Sequence, residues 1–464
     1  MDLTFQKVRD ICCGQFSRTA QLNAVIGDIT TDSRVPMKNG LFIALSGERF
    51  DGHDYLESAV NNGAVLLCVD KNKADRIPKG ATGLLVDSPL AAYQALAAYH
   101  RAQFPGLKVI ALTGSCGKTT TKEILRTIFE HVAGPDHVLA TQGNTNNQIG
   151  VPQNLLRLTD RHEFAVIEMG TNHHGEIEPL ARIAAPETSL VVSIGNCHLE
   201  FFLHLNGVAT EKSHIFLPPS VRCAVYPQEC GGHDVLETAA AAAPEKLTFG
   251  ESPDASVRMI YGGGTLNGST FELIEKATGK RIKVEWNLTG RHQAMNAAGA
   301  AAAALSFGIP LETIAEAIRK IEVPGCRMRR RHHGQALWIN DAYNGNPDSI
   351  CAALAWLAEF ADPAHLVLVL GDMGELGRDS LKGHLRVLDF ALENLPGARI
   401  AAVGSRMTEA MMVLNLTCPH ELVTMFPSAA DAVGPVRAMI RPEDLVFLKG
   451  SHSTGLEIIE PEGE

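Results

Sequence analysis

Apolar and polar positions alternate along this chain in a way that predicts strands and helices in turn. Residues 107–112 form an apolar run of strand length. Ile124, Leu125, Ile128, Phe129 and Val132 then recur at helical spacing. The runs 164–167 and 190–194 repeat the strand signal, and a helix is predicted from Pro152. Strands separated by helices imply a parallel sheet in an α/β fold. Residues 247–284, with Gly-rich turns and alternating polarity, predict an antiparallel hairpin insertion. The alanine-rich stretch 297–307 is too short to span a bilayer and predicts a buried helix. Further on, runs ending near Asp341, Leu370, Val403 and Leu448 each pass into a turn, which suggests a second, Rossmann-like sheet. The first hundred residues are mixed, with an apolar run at 41–45, a helix over 55–62 and a strand over 64–70.

Pro105-Gly106 and Pro324-Gly325 punctuate these patterns. They divide the chain into a smaller mixed α/β domain (1–104), a central P-loop parallel-sheet domain (105–322) and a C-terminal Rossmann-like domain (323–464). A length of 464 residues accommodates three domains, and 45% hydrophobic content fills their cores. The net charge of −11 argues against a nucleic-acid partner, which calls for a basic face. No leader pattern or bilayer-length apolar run stands out. The ten cysteines include no C-x-x-C pair, consistent with reduced thiols in a cytoplasmic protein, and Cys68 reads as a small core residue. A monomer is the default expectation.

Chemistry concentrates at Thr113-Gly114-Ser115-Cys116-Gly117-Lys118-Thr119-Thr120-Thr121, between the predicted strand and helix. Gly114 and Gly117 let the backbone approach an anion, and the new helix directs free N–H groups at it. Lys118 supplies charge to the β- and γ-phosphates and the Thr119 hydroxyl suits magnesium. The strict P-loop pattern fails at Leu112, where it requires glycine. Glu168 ends the next strand, at the sheet edge where ligand groups of open α/β sheets gather. His198 follows the strand after that, and Lys212 lies in or opens a helix. Thr119, Glu168 and His198 are candidate metal groups. A hydroxyl, one carboxylate and phosphate oxygens suffice for magnesium. Taken singly, His198 and Lys212 read as an ordinary structural histidine and a solvated lysine.

In order along nearly the whole chain stand TDSR (31–34), ALSGERFDGHDY (44–55), TGSCGKTTTKE (113–123), GNTNNQIGVP (143–152), IEMGTNHHGEI (167–177), GNCHLEFF (195–202), ATEKSHIF (209–216), GRHQAMNA (290–297), NDAYNGNPDS (340–349), VLGDMGELG (369–377) and LKGS (448–451). Together they resemble the Mur ligases, ATP-dependent amide-forming enzymes of peptidoglycan precursor synthesis. The asparagine-rich loop, DAYNGNP and GDMGELG resemble the dipeptide-adding branch. That resemblance implies transfer of D-alanyl-D-alanine to UDP-N-acetylmuramoyl-tripeptide through an acyl phosphate, with ATP and Mg2+.

By the same resemblance, Gly114, Ser115, Cys116, Gly117, Lys118, Thr119 and Thr120 hold the phosphates, and Thr119 and Glu168 the first magnesium. His198 and a carbamylated Lys212 serve a second, and Lys118, Lys212 and His198 are the expected catalytic groups. Asn296 matches the adenine-binding asparagine, and Arg327 and Asp341 match groups on the ribose and phosphates. Asp32, Ser33 and Arg34 lie near the uridine diphosphate, and Asn144, Thr145, Tyr343, Asn344 and Asn346 are expected at the substrates. Cys116, Gly345 and His452 depart from the family's usual asparagine, alanine and arginine, and Cys326 precedes Arg327. Amino-acid-adding Mur ligases, a folate polyglutamate ligase and a non-catalytic nucleotide switch are the alternatives. The motifs of the first and third domains weigh against a switch.

Overall fold

The computed structural model describes residues 3–47, 50–321, 328–416 and 421–461. The expected ATP contact Arg327, its neighbour Cys326 and the domain boundary at 322/323 lie outside the described residues.

The central domain is built on a nine-stranded sheet. Its strands lie side by side in the order Val138–Ala140, Phe164–Glu168, Lys108–Thr113, Thr188–Val191, Cys223–Pro227, Glu245–Gly250, Val257–Thr265, Gly268–Glu275 and Arg281–Trp286. Neighbours are parallel up to Val257–Thr265, and the last two pairings are antiparallel. The period-2 alternation of a strand splits its side chains between two cores. Ile110 and Leu112 pack under the helices Lys118–Ala133 and Arg291–Leu305, while Val109 and Ala111 face the opposite layer with Ile177 and Leu180.

Three features differ from the sequence expectation. The 247–284 segment is no insertion, because its strands extend the main sheet. Its inward residues Val257, Met259, Phe271, Leu273 and Val284 continue the core beneath the alanine-rich helix. That helix comes close to the sheet because a Cβ at Gly299 would lie 3.0 Å from the Phe249 ring. Val132 is exposed even though it keeps the helical period, since the apolar stripe has turned past the sheet by the last turn. Residues 55–62 divide into a 3₁₀ turn, Gly52–Tyr55, capped by the Asp51 side chain, and a short helix, Leu56–Asn61.

The N-terminal domain has a five-stranded, mostly parallel sheet in which Cys68 is fully buried. Its last helix, Pro89–Ala102, packs on the central domain. The buried Arg101 guanidinium there donates to the carbonyls of Ala184 (3.0 Å) and Phe104 (2.8 Å). The Pro105-Gly106 turn therefore follows an anchored helix.

The C-terminal domain carries a six-stranded sheet ordered Arg329–His333, Ala336–Asn340, Leu445–Lys449, Leu366–Gly371, Arg399–Val403 and Val423–Phe426. All pairings but the first are parallel. Leu366, Leu368 and Leu370 face one core of this domain, and Val367 and Val369 the other.

Candidate active site

The chain order reverses at Lys108–Thr113, which lies between Phe164–Glu168 and Thr188–Val191. This is a topological switch point, where the carboxyl ends of adjacent strands open a crevice for ligands. From these strand ends come the phosphate loop, Glu168 and the 193–198 segment. Gly117 adopts φ +81, which glycine tolerates, and begins the helix Lys118–Ala133. A Cβ there would collide with the Asn296 side chain, so the loop and the Asn296 helix require glycine at this contact. The loop is fixed from behind. Ser115 N–H donates to Ser193 O (2.9 Å), Cys116 N–H to Ser193 Oγ (2.8 Å), and Gly195 N–H to Ser115 Oγ (2.9 Å). Lys118 Nζ donates to Gly114 O at 2.6 Å, closing the lysine over the loop.

Glu168 is buried, and its backbone N–H donates to Thr141 Oγ1 at 2.9 Å. Its Oε1 accepts from Asn146 Nδ2 (2.9 Å) and Thr119 Oγ1 (3.4 Å). Its Oε2 is buried and has no hydrogen-bond partner among the described residues. An orphaned carboxylate oxygen beside a hydroxyl and the anion-binding loop fits a hard cation. No group of three or more His, Cys, Asp or Glu side chains suited to a metal occurs among the described residues. A site of one hydroxyl and one carboxylate needs phosphate and water to complete its coordination.

Lys212 lies within the helix Leu205–Ser213, fully buried, with Lys118, Cys116 and Cys197 as its electrostatic neighbours. Burial pushes its ammonium down to about 8. It sits behind the cavity wall and does not line the cavity. The adjacent Glu211, also buried, accepts the backbone N–H groups of Gly175 (2.8 Å), Glu176 (3.0 Å) and Ile177 (3.0 Å), tying this helix to the loop after Glu168.

A cavity of about 1530 Å³ runs between the central and C-terminal domains. Ser115–Thr120, Glu168, His198 and Asn296 line it on one side, and Asp341, Tyr343, Asn344 and Asn346 on the other. Asp341 is paired with Lys449 across neighbouring strand ends. His292 also faces the cavity, and burial and the nearby Lys449 hold its imidazole down at about 4.

Asn346 caps the helix Pro347–Leu357 in a capping box with Ser349, and its Nδ2 donates to Cys116 Sγ at 3.1 Å. The departure at Cys116 thus places a thiol at an interdomain contact. The departure at Gly345 has a steric cause, since a Cβ there would lie 2.9 Å from the Gly450 backbone. His452 is exposed beside Tyr343 at the cavity rim.

The remaining expected residues lie elsewhere. Asn144 lines the cavity, but Thr145 turns inward, where its hydroxyl meets Gln142 O (2.5 Å) and Asn154 Nδ2 (2.9 Å). Asp32 and Arg34 form an ion pair at 2.7 Å, and Ser33 is buried, all on the N-terminal domain outside the cavity. Glu375, Asp348, Lys449 and His292 were not singled out from the sequence. All four lie inside the quoted motifs or directly beside them, and only the docking of the domains brings them to the cavity.

A phosphate loop and a cation-ready carboxylate face a separate Rossmann-like domain across one cavity, the arrangement of a protein that closes two domains over a nucleotide. Residues 25–110 match the catalytic domain of the Mur ligase family, 112–304 the Mur ligase middle domain, and 326–452 the Mur ligase glutamate ligase domain. The chain is 33% identical to UDP-N-acetylmuramoyl-tripeptide--D-alanyl-D-alanine ligase of Escherichia coli (strain K12), over 98% of this chain and 97% of that protein. It is 36% identical to the Haemophilus influenzae protein of the same name, over 79% and 78%. Its fold superposes on a crystal structure of MurF from Acinetobacter baumannii with a TM-score of 0.88 and 33% identity, covering 99% of this chain and 98% of the other. MurF ligase from Thermotoga maritima, solved in complex with ADP, shares the fold at a TM-score of 0.79 and 22% identity, covering 93% and 96%. The chain belongs to the Mur ligase family.

Proposed function

We propose that this chain joins D-alanyl-D-alanine to UDP-N-acetylmuramoyl-tripeptide at the expense of ATP in peptidoglycan precursor synthesis. The observation that carries this reading is the shared cavity, in which the phosphate loop and the loop Tyr343–Asn346 of the C-terminal domain face each other. Its assignment to the dipeptide-adding reaction draws on the full-length relatives of that name.

A tripeptide carboxylate oxygen attacks the γ-phosphorus and ADP leaves, giving an acyl phosphate. The neutral amine of D-alanyl-D-alanine then attacks the acyl carbon, phosphate leaves, and the amine proton passes to solvent. Both anions of the first step approach each other against repulsion. Lys118, by exchanging the Gly114 carbonyl for phosphate oxygens, and the N–H groups at the start of its helix would offset it. Thr119 and the free oxygen of Glu168 would hold the first magnesium. His198 and Lys212 would serve the second, Lys212 after its neutral amine adds CO2 and releases a proton. When bound, magnesium neutralises developing charge on the transferring phosphoryl group. The depressed lysine supplies the neutral amine that such a carbamate needs.

Asn296 would take the adenine, and Asp341, with Arg327, the ribose and phosphates. Tyr343, Asn344 and Asn346 would border the incoming dipeptide, with Asn346 acting through the loop it caps. Asn144 would face the tripeptide, Thr145 would act through the loop it braces, and Asp32, Ser33 and Arg34 would meet the uridine diphosphate. Docking of the C-terminal domain would exclude water from the acyl phosphate. No described helix is long and apolar enough to cross a membrane. Nucleotide substrates and free thiols at every described cysteine support the cytoplasm as the working compartment, and a monomer is the state we propose.

The test is phosphate release from ATP with each acceptor and amine omitted in turn. Turnover should require both UDP-N-acetylmuramoyl-tripeptide and D-alanyl-D-alanine. Equal turnover with a single amino acid in place of the dipeptide would refute the assignment.

A further inference from the structure

His198 belongs to the central domain, yet the carboxylate nearest its ring comes from the other side of the cavity. Glu375 Oε2, on the loop after Leu366–Gly371, lies 2.6 Å from the buried His198 Nδ1, a close ion-pair contact whose angle falls short of an aligned hydrogen bond. The histidine side chain is 19% exposed and the glutamate 52%, so the carboxylate has open space beside it and still leans on the ring. Both residues sit in the left-handed backbone region, His198 at φ +52 and Glu375 at φ +61. Neither is glycine, so each conformation is strained and persists only where the surroundings enforce it.

The surroundings do so from both sides. Gly377 packs so closely on the central domain that a Cβ would lie 2.9 Å from Glu200 Cα. Arg378 Nη2 donates to Leu203 O at 3.3 Å. Behind the imidazole, the buried Phe202 ring stands perpendicular to it, with centroids 6.3 Å apart. Two strained residues on separate domains are thus held facing each other by the packing of 374–378 on 198–203.

We propose that Glu375 is a positioning residue for His198, delivered across the domain boundary, so that the imidazole reaches its working orientation only when the C-terminal domain is docked. This rests on the reading above that His198 serves a bound magnesium. A carboxylate held against Nδ1 favours the tautomer that carries its proton there, which leaves the Nε2 lone pair free to act as a ligand, and it restrains the ring against rotation. Glu375 is a half-exposed acid on an irregular loop, and it ties the second metal position to domain closure through one carboxylate–imidazole contact.

The test uses the full chain with ADP and titrates Mn2+ by electron paramagnetic resonance, beside steady-state kinetics with Mg2+. Glu375→Gln should weaken the weaker Mn2+ site about tenfold, in line with the loss of an outer carboxylate on a ligating histidine, and leave the tighter site unchanged. Its kcat should fall with little change in the KM for ATP. Glu375→Gly relaxes the backbone at φ +61 but removes the carboxylate, so it should show the same loss, whereas Glu375→Asp should recover part of it. Wild-type Mn2+ affinity in Glu375→Gln or Glu375→Gly, with the weaker site lost in His198→Ala, would overturn the proposal and leave the reading of His198 standing. Unchanged binding in His198→Ala as well would overturn that reading itself. If Glu375→Gln lost both sites through misfolding, Glu375→Asp and Glu375→Gly would decide by the same criteria.

Discussion

Behind the phosphate loop lies a buried ion pair whose removal has a calculable cost. Lys122 and Glu123 are only 3% and 6% exposed. Lys122 Nζ lies 2.6 Å from Glu123 Oε1 and donates to Thr141 O at 2.8 Å. Lys122→Met leaves Glu123 buried with one remaining cation, Arg126, whose Nε is 2.7 Å from Oε2. Breaking a buried pair from one side costs roughly 3–5 kcal/mol. The surviving Arg126 contact puts this case at the low end, about 3 kcal/mol, and the undonated Thr141 carbonyl adds about 1 kcal/mol.

Replacing both members with apolar residues removes the stranded charge, so Lys122→Met with Glu123→Leu should lie within about 1–2 kcal/mol of wild type. The assay is a urea titration read by hydrogen exchange of peptides from Lys118–Ala133 and Phe164–Glu168, which isolates the central domain. A single variant within 1 kcal/mol of wild type, or a double variant no more stable than the single, would refute the reasoning. Either result would mean that water or a rearranged Arg126 neutralises Glu123.

Lys212→Ala should lose most ligase activity, and a short carboxylate such as acetate should restore part of it. Full activity in Lys212→Arg would end the carbamate reading, since a guanidinium cannot add CO2. His292, held down at about 4 against an ordinary 6.5, binds its proton more readily in the unfolded chain. It therefore contributes stability present above pH 6.5 and lost as pH falls through 4, by up to about 3 kcal/mol. Thermal unfolding between pH 7 and 4 should show a smaller acid loss in His292→Leu than in wild type, and equal losses would refute it.

The strand and helix around the phosphate loop were legible because each obeys a local rule. The apolar run before Gly114 has strand length, and Ile124, Leu125, Ile128 and Phe129 keep the helical period that buries them. The placement of Lys118, Thr119 and Glu168 at one sheet edge was legible for the same reason, since a glycine turn between strand and helix and a carboxylate at a strand end are sequence-local features. The motif series likewise fixed the family, because its order along the chain needs no coordinates.

Contacts between residues far apart in sequence were decided by the tertiary structure. Residues 247–284 show the same alternation whether they form a separate hairpin or extend the sheet. Only the apolar helix laid over Val257 and Phe271 distinguishes the two. Thr145 and Asn144 are neighbours of similar polarity, and the buried Asn154 amide draws one inward while the other faces the cavity. Lys212 reads as a solvated helix lysine until packing removes its water. Glu375 reads as a loop acid until domain docking places it on His198, 177 positions away in number. Periodicity reports which side of an element is apolar, whereas burial of a charge and the pairing of distant loops depend on which surfaces meet.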